Sequence, residues 1–333
     1  MIIAVENSTW SNIGDAFYQQ SIEEVFRRTF PDSQVFAFDG PAERAFRAGN
    51  WIKNSTDLRP HTVADHFVFS GPILSDTFLK RYGQLIKNIK DARKSYSLIS
   101  VHGGADPAAL APTFEFLNRY RPCALHTRDQ FTFERFSGVS DYRHSGLCFA
   151  FFAKHIENLP ALKPDIPYIC SSFYSIPEPK FEVRANSKLE VEGLRFTQFK
   201  RNILPWRAAR HLQFAAPHIE RQSGFDIIRP VHDAYRFPNV SFGRRKAYLS
   251  YNPKCFLSVY KYASATISDR VHAGVVSLSF GKPALIKPRD ARYELFDNPA
   301  ITKTDGLLRA DQKEIDRQYD LHIDWLRNIP FGK

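Results

Sequence analysis

The sequence predicts an α/β protein of two domains built on mostly parallel sheets, and three observations carry that prediction. The chain has 333 residues, more than one ordinary core accommodates and enough for two α/β domains. Short apolar runs alternate with stretches whose apolar residues recur at helical spacing, the pattern of strands joined by crossover helices. A stretch near the middle, with Pro160, Pro164 and Pro167 among Lys154, Glu157 and Lys163, separates two such series. Hydrophobic residues make up 43% and charged residues 24%, a balance that permits a packed core.

The first series opens on the apolar strand Ile2–Glu6. Over Gly14–Phe30, the residues Tyr18, Ile22, Val25, Phe26 and Phe30 share one helical face. Gln34–Phe38 and His66–Phe69 are strands, and Leu79, Tyr82, Leu85, Ile86 and Ile89 mark a second amphipathic helix. Ser97–Val101 is a strand ending in His102-Gly103-Gly104. Pro107–Tyr120 is a helix, Cys123–His126 a strand and Asp129–Phe136 a helix. Ala150–Pro167 reads as the linker. The second series starts at the strand Tyr168–Ser172, and residues 180–206 read as a β-hairpin or an irregular insertion. Phe225–Arg229, Thr266–Ser268 and Ala284–Lys287 are strands, with helices at Cys255–Tyr262 and Val271–Phe280. In the tail, Ile315, Tyr319, Ile323 and Leu326 line one face of a helix expected to pack back on the N-terminal domain. The domains expected are 1–160, 161–309 and a terminal helix within 310–333.

Several function classes lack their signatures. No apolar run reaches the roughly 18–20 residues that span a bilayer. The N-terminus has no basic region before its apolar run, so the chain is expected in the cytosol. The four cysteines form no CxxC pair, and the eleven histidines form no HExxH and no tight cluster along the chain, so no metal is expected. No GxGxxG follows the first strand and no GxxxxGK[ST] occurs anywhere. The net charge of +11 is uneven. Residues 1–160 hold 18 Lys and Arg against 17 Asp and Glu, whereas 161–333 hold 28 against 18. Residues 200–254 alone hold 11 basic against 3 acidic, a field that favours an anionic partner: a phosphorylated substrate, an anionic lipid surface or a nucleic acid. No nucleic-acid module accompanies this stretch, so nucleic acid is not an expected partner.

In open parallel sheets, ligands bind outside the carboxyl ends of the strands, so chemistry belongs in the loops that follow them. Asn12-Ile13-Gly14-Asp15 opens the first helix, where Gly14 lets a ligand approach and Asp15 can orient a hydroxyl. Ser70-Gly71-Pro72 and His102-Gly103-Gly104 place small residues at the same edge, and read equally as turns. Arg128-Asp129 follows the strand at Ala124–His126, where an arginine can fork onto phosphate or carboxylate. Ser268-Asp269-Arg270-Val271-His272 starts a helix whose positive end and Arg270 attract an anion, with His272 placed for proton transfer. Arg292 lies in the next strand-end loop, and His232 in another. Each of these also reads as an ordinary cap, turn or surface pair.

Taken in order, Asn12-Ile13-Gly14-Asp15, Ser70-Gly71-Pro72, Arg128-Asp129 and Ser268-Asp269-Arg270-Val271-His272 resemble the motifs of the polysaccharide pyruvyl transferases, over roughly residues 5–295. The resemblance implies two Rossmann-like domains of GT-B type with the active site in the cleft between them. It implies transfer of the enolpyruvyl group of phosphoenolpyruvate to two hydroxyls of a cell-surface polysaccharide or its precursor, giving a pyruvate ketal, with no cofactor and no metal. It assigns Arg270 and His272 to the site, and Arg128 as the arginine of the family's R-D pair. Phosphoenolpyruvate is then the donor held by Arg270, Arg292 and Arg128. His272 is the first acid–base candidate and His232 the second. Asn12, Gly14, Asp15 and Gly71 complete the substrate-binding set. Three departures stand out. Ser70-Gly71-Pro72 replaces a run of glycines, Gly146-Leu147-Cys148-Phe149 replaces Asp-Pro-Ala-Phe, and Arg292 replaces a lysine. The basic stretch is expected to receive a lipid-linked sugar acceptor at an anionic membrane surface, with the protein peripheral to its inner face. Alternatives are a GT-B glycosyltransferase using a nucleotide sugar and a non-catalytic relative acting as a partner subunit.

Overall fold

In the computed structural model the chain forms two compact units, Met1–Phe149 with Asp316–Lys333, and Ala150–Ile315. The structure describes residues 1–8, 12–41, 56–104, 106–173, 176, 178–198, 219–232, 246–287 and 291–331.

The first unit is built on a sheet of six parallel strands: β1 (Ile2–Asn7), β2 (Gln34–Asp39), β3 (His66–Leu74), β4 (Ser95–Gly103), β5 (Ala124–Thr127) and β6 (Tyr142–Ser145). Their order is β2-β1-β3-β4-β5-β6. The chain steps outward from β1 to β2, then crosses back to β3, so the gap between β1 and β3 is a topological switch point. β6 escapes the sequence pattern because it is an edge strand of sequence Tyr-Arg-His-Ser, largely open to solvent and without an apolar face. The helices beside the sheet include α1 (Ile13–Thr29), α2 (Gln84–Asp91, entered through a π-helical turn at Leu79–Gly83), α3 (Pro107–Arg119) and α4 (Gln130–Phe136). Asn12, Asp106 and Asp129 cap α1, α3 and α4 through their side-chain oxygens, and Pro107 starts α3 where its missing N–H costs nothing. Phe67, Phe69, Phe78, Tyr82, Tyr96 and Leu98 are among the residues of the buried core.

In the second unit the parallel strands are β7 (Tyr168–Ser172), β11 (Phe225–Pro230), β12 (Ala247–Tyr248), β13 (Ala265–Ser268) and β14 (Ala284–Ile286). Residues 180–198 form a separate hairpin of β8 (Lys180–Ala185) and β9 (Val191–Gln198), the first of the two alternatives read for 180–206, of which 199–206 lie outside the described residues. Its turn is held by Asn186, whose side chain accepts from the Lys188 and Glu190 amides. β10 (Arg221–Gln222) adds antiparallel to β11. β15 (Ile301–Thr304) and β16 (Leu307–Ala310) form an antiparallel hairpin against β14, turning at Gly306 with φ of 80°. The sheet runs β10-β11-β7-β13-β14-β16-β15, with β12 beside β11. The chain moves from β7 out through β11 and β12, then returns to β13, so β7 and β13 flank the switch point of this sheet. α5 (Pro253–Tyr262) and α6 (Val271–Ser279) connect its parallel strands.

Two expectations are corrected. Phe149–His155 is a 3₁₀ segment whose Phe149, Ala150, Phe151, Phe152 and Ala153 are buried, so the stretch read as linker begins as core. Its apolar content outweighs the prolines that follow. The terminal helix expected within 310–333 is α7 (Gln312–Arg327), which starts two residues after Ala310 because Ala310 closes β16.

Candidate functional site

In the first unit the site elements converge on the carboxyl ends of β1, β3, β4 and β5. Asn12 is in extended conformation and its side chain accepts from the Gly14 amide at 3.2 Å, so its position in the motif is that of a helix cap. Asp15 sits in the first turn, where a carboxylate complements the helix dipole. Gly71 has φ of 87°, at a register shift in the β3–β4 pairing, a backbone that favours glycine. The last residues of β1 include Glu6, a buried carboxylate that accepts from the Tyr82 hydroxyl at 2.7 Å and the Ser70 amide at 3.3 Å.

Arg128 follows β5 and is buried, with the Tyr18 ring 5.9 Å from its guanidinium carbon. Neither of its terminal nitrogens has a hydrogen-bond partner among the described residues. A buried guanidinium without an acceptor is costly, and an anionic ligand is the group that would satisfy it. The adjacent Asp129 accepts from the Thr132 amide at 2.8 Å and bonds the His102 ring at Nδ1, also at 2.8 Å. Burial works to raise the Asp129 carboxyl. The bond and charge from His102, with the bonds from Thr132, outweigh it and hold the carboxyl below its ordinary range. Sequence reasoning treats Asp129 as a loop holder and His102 as part of a turn, because nothing in local spacing joins two residues on neighbouring strand ends.

In the second unit, Ser172 and Ser268 close β7 and β13 on either side of the switch point. The Ser268 hydroxyl donates to the Ser172 carbonyl at 2.5 Å and accepts from the Arg270 amide at 2.8 Å. Asp269 is buried and accepts from the Ile176 amide at 3.1 Å. These bonds fix the turn that delivers Arg270 to the start of α6. Arg270 occupies the cap position in extended conformation, and no side chain among the described residues caps the helix, so its first amides suit an anion. Arg270 and His272 are both half-buried there. Gly274 lets α6 sit against β14, since a Cβ at this position would stand 2.6 Å from Ile286 Cδ1. His232 is buried, with Nε2 bonded to the Tyr260 hydroxyl at 2.6 Å. Burial, then the charges of Arg270 and His272, push its imidazole well below the usual range and keep it neutral. The fold therefore gathers Arg270, His272 and His232 in one place. Arg292 is exposed in the helical turn Ala291–Phe296 beyond β14. Of the basic stretch 200–254, residues 200–218 and 233–245 lie outside the described residues, and the buried Arg229 is engaged by Glu178 at 2.7 and 2.8 Å.

The histidines, scattered along the sequence, do form one tight group, against expectation. His126 on β5 and His144 on β6 are paired in register, and His322 comes from α7 in the part of that helix belonging to the first unit. One ring nitrogen from each lies within 4.8 Å of the others. His126 Nδ1 accepts from the Ser100 amide at 3.1 Å, so its proton resides on Nε2. His322 gives its Nδ1 proton to the Gln318 carbonyl at 2.5 Å, and its Nε2 accepts from His126 at 2.8 Å. The His126 proton thus occupies the place an ion would need, which fits a hydrogen-bonded packing cluster better than a metal centre. Gly146, in the departure Gly146-Leu147-Cys148-Phe149, makes room for the group: a Cβ there would stand 2.6 Å from His322 Nε2.

Similarity to known proteins accords with this architecture. No curated protein matches the chain by sequence. Among solved structures, a putative UDP-N-acetylglucosamine 2-epimerase from Listeria monocytogenes superposes with a TM-score of 0.53 at 8% identity, over 98% of this chain and 87% of that one. S. aureus MnaA with UDP gives 0.51 at 9%, over 100% and 92%. The UDP-GlcNAc 2-epimerase of Methanocaldococcus jannaschii, in complex with UDP-GlcNAc and UDP, gives 0.50 at 10%, over 100% and 95%. At such identities the likeness concerns the fold alone, which is α/β, mostly parallel and GT-B-like. Sequence carries more: the model of the family "Polysaccharide pyruvyl transferase" matches residues 12–290, which take in every element from α1 to β14. With two mostly parallel sheets and a family match over residues 12–290, the chain is a transferase belonging to the polysaccharide pyruvyl transferase family.

Proposed function

We propose that the protein transfers the enolpyruvyl group of phosphoenolpyruvate to two hydroxyls of a sugar in a cell-surface polysaccharide or its precursor, releasing phosphate and forming a pyruvate ketal. The observation that carries this reading is buried Arg128, whose two terminal nitrogens have no hydrogen-bond partner among the described residues, in a chain of this family. Arg270 and the amides that open α6 suit the phosphate and carboxylate of the donor, with Arg292 as a further cation. Ketal formation requires a proton at the methylene carbon and removal of two hydroxyl protons. His272 is proposed for one of these transfers. His232, buried and neutral against Tyr260, supports that histidine by positioning.

The test follows phosphate release from phosphoenolpyruvate with a sugar acceptor. His272→Ala is expected to lower kcat by about 10²–10⁴-fold without unfolding. Full turnover in the folded variant removes His272 from the mechanism. A nucleotide-sugar donor is the second reading, since two of the similar folds were solved with UDP or UDP-GlcNAc. Thermal shift separates the two: stabilisation by phosphoenolpyruvate supports the first, and stabilisation by nucleotide sugars alone supports the second.

A further inference from the structure

We propose that His102, oriented by Asp129, is an acid–base catalytic residue that takes the proton of an acceptor hydroxyl at the carboxyl edge of the first unit's sheet. The inference rests on the pyruvyl-transfer reading above. It starts from the termini of β4 and β5, neighbouring parallel strands that bring His102 and Asp129 together across 27 residues of sequence. One oxygen of Asp129 is occupied as the cap of α4, accepting from Thr132, while the other meets His102 Nδ1. The capping bond prevents the carboxylate from turning away. Thr132 is itself held, its hydroxyl accepting from the Gly103 amide at 2.8 Å.

An ionised carboxylate only accepts hydrogen bonds, so the proton of neutral His102 lies on Nδ1 and the lone pair on Nε2. Among the described residues Nε2 has no partner, and the side chain is 23% exposed, against 9% for Asp129. A fixed carboxylate behind the ring and an accessible lone pair in front make a general base. His66, His126 and His322 of the same unit are fully buried and bonded through both ring nitrogens. Arg128, one residue before Asp129, brings an anion-seeking group to the same strand end.

The chemistry balances as follows. The first hydroxyl oxygen bonds to C2 of phosphoenolpyruvate and its proton passes to His102 Nε2, the imidazolium being stabilised by Asp129. C3 gains a proton and becomes methyl. The second hydroxyl then bonds to C2 as the C2–O bond to phosphate breaks, phosphate leaving with the electron pair. Of the two hydroxyl protons, one is balanced by that gained at C3 and the other departs with phosphate.

The experiment compares wild type, His102→Gln, His102→Ala and Asp129→Asn in phosphate release with phosphoenolpyruvate and a sugar acceptor. Asparagine keeps the cap on Thr132 but presents an N–H to His102 Nδ1, forcing the opposite tautomer. His102→Gln and Asp129→Asn are expected to lose about 10²–10⁴-fold in kcat with KM for phosphoenolpyruvate little changed. Added imidazole is expected to restore part of the activity of His102→Ala and none of that of Asp129→Asn. If His102→Gln fails to fold, the Asp129→Asn result decides. Wild-type kcat in either folded variant, or a rise in KM alone, overturns the role of His102 while the pyruvyl-transfer reading stands. An inactive wild type that phosphoenolpyruvate does not stabilise ends that reading, and this inference with it.

Discussion

Arg128 joins stability and function in one side chain. It is buried at the end of β5 beside Tyr18, and its terminal nitrogens lack acceptors among the described residues. Removing a buried unpaired charge ordinarily stabilises a fold, whereas removing a ligand's partner weakens binding. Arg128→Met, of similar length and apolar, is therefore expected to raise the melting temperature or leave it unchanged while abolishing stabilisation by phosphoenolpyruvate. A melting temperature lowered by several degrees with binding intact would assign Arg128 to structure instead. The arginine's position after a strand was readable from Arg128-Asp129 alone. Its burial and lack of an acceptor were not, since both depend on Tyr18 and the neighbouring strand ends. Asn12 shows the reverse: its side chain is used as a helix cap, the plainer of the two roles the sequence allowed.

Among the elements, α6 and its entry turn hold the second unit's candidate site residues. Ser268, Asp269 and the Arg270 amide are tied to β7 and to Ile176 by hydrogen bonds, and Gly274 allows the helix to seat on β14. A methyl group at Gly274 would meet Ile286 Cδ1 at 2.6 Å and Phe296 at 3.1 Å. Gly274→Ala is expected to cost roughly 1–3 kcal/mol by displacing α6, and to weaken phosphoenolpyruvate binding through Arg270. Denaturant unfolding and thermal shift measure the two effects, and an unchanged midpoint contradicts this packing. The strand and helix here were legible because an apolar run, a polar turn and a second apolar run are local signals. β12, β15 and β16 were not, being short strands whose pairing is set by neighbours rather than by alternation.

For the molecule as a whole, acid is the predicted weakness of the first unit. Burial, with the Lys90 charge, lowers His66 to about 3, and burial, with the His144 charge, lowers His322 to about 3. His126 is pushed well below its ordinary range by burial, then by His322 and His144. The unfolded chain binds a proton at each near pH 6.5, whereas the folded chain does so at His66 and His322 only near pH 3, and at His126 only well below its ordinary range. The unfolded state thus holds more protons in this window, and stability falls as pH drops through it. The expected loss is about 1.4 kcal/mol per pH unit per histidine. Melting temperature measured from pH 7 to pH 4 checks this, and a flat profile refutes it.

By itself the sequence determined the α/β class, the two series of strands and helices, the strand-end loops and the helix start at Ser268–His272. Periodicity, caps and turn residues act over a few positions, so their meaning survives without the fold. Tertiary structure alone decided that His102 meets Asp129, that His126, His144 and His322 group together with the first and last of them joined in one hydrogen-bond chain, and that Arg128 is buried with its terminal nitrogens lacking acceptors among the described residues. Those facts depend on which strands are neighbours and on what burial excludes, and no local spacing along the chain encodes either.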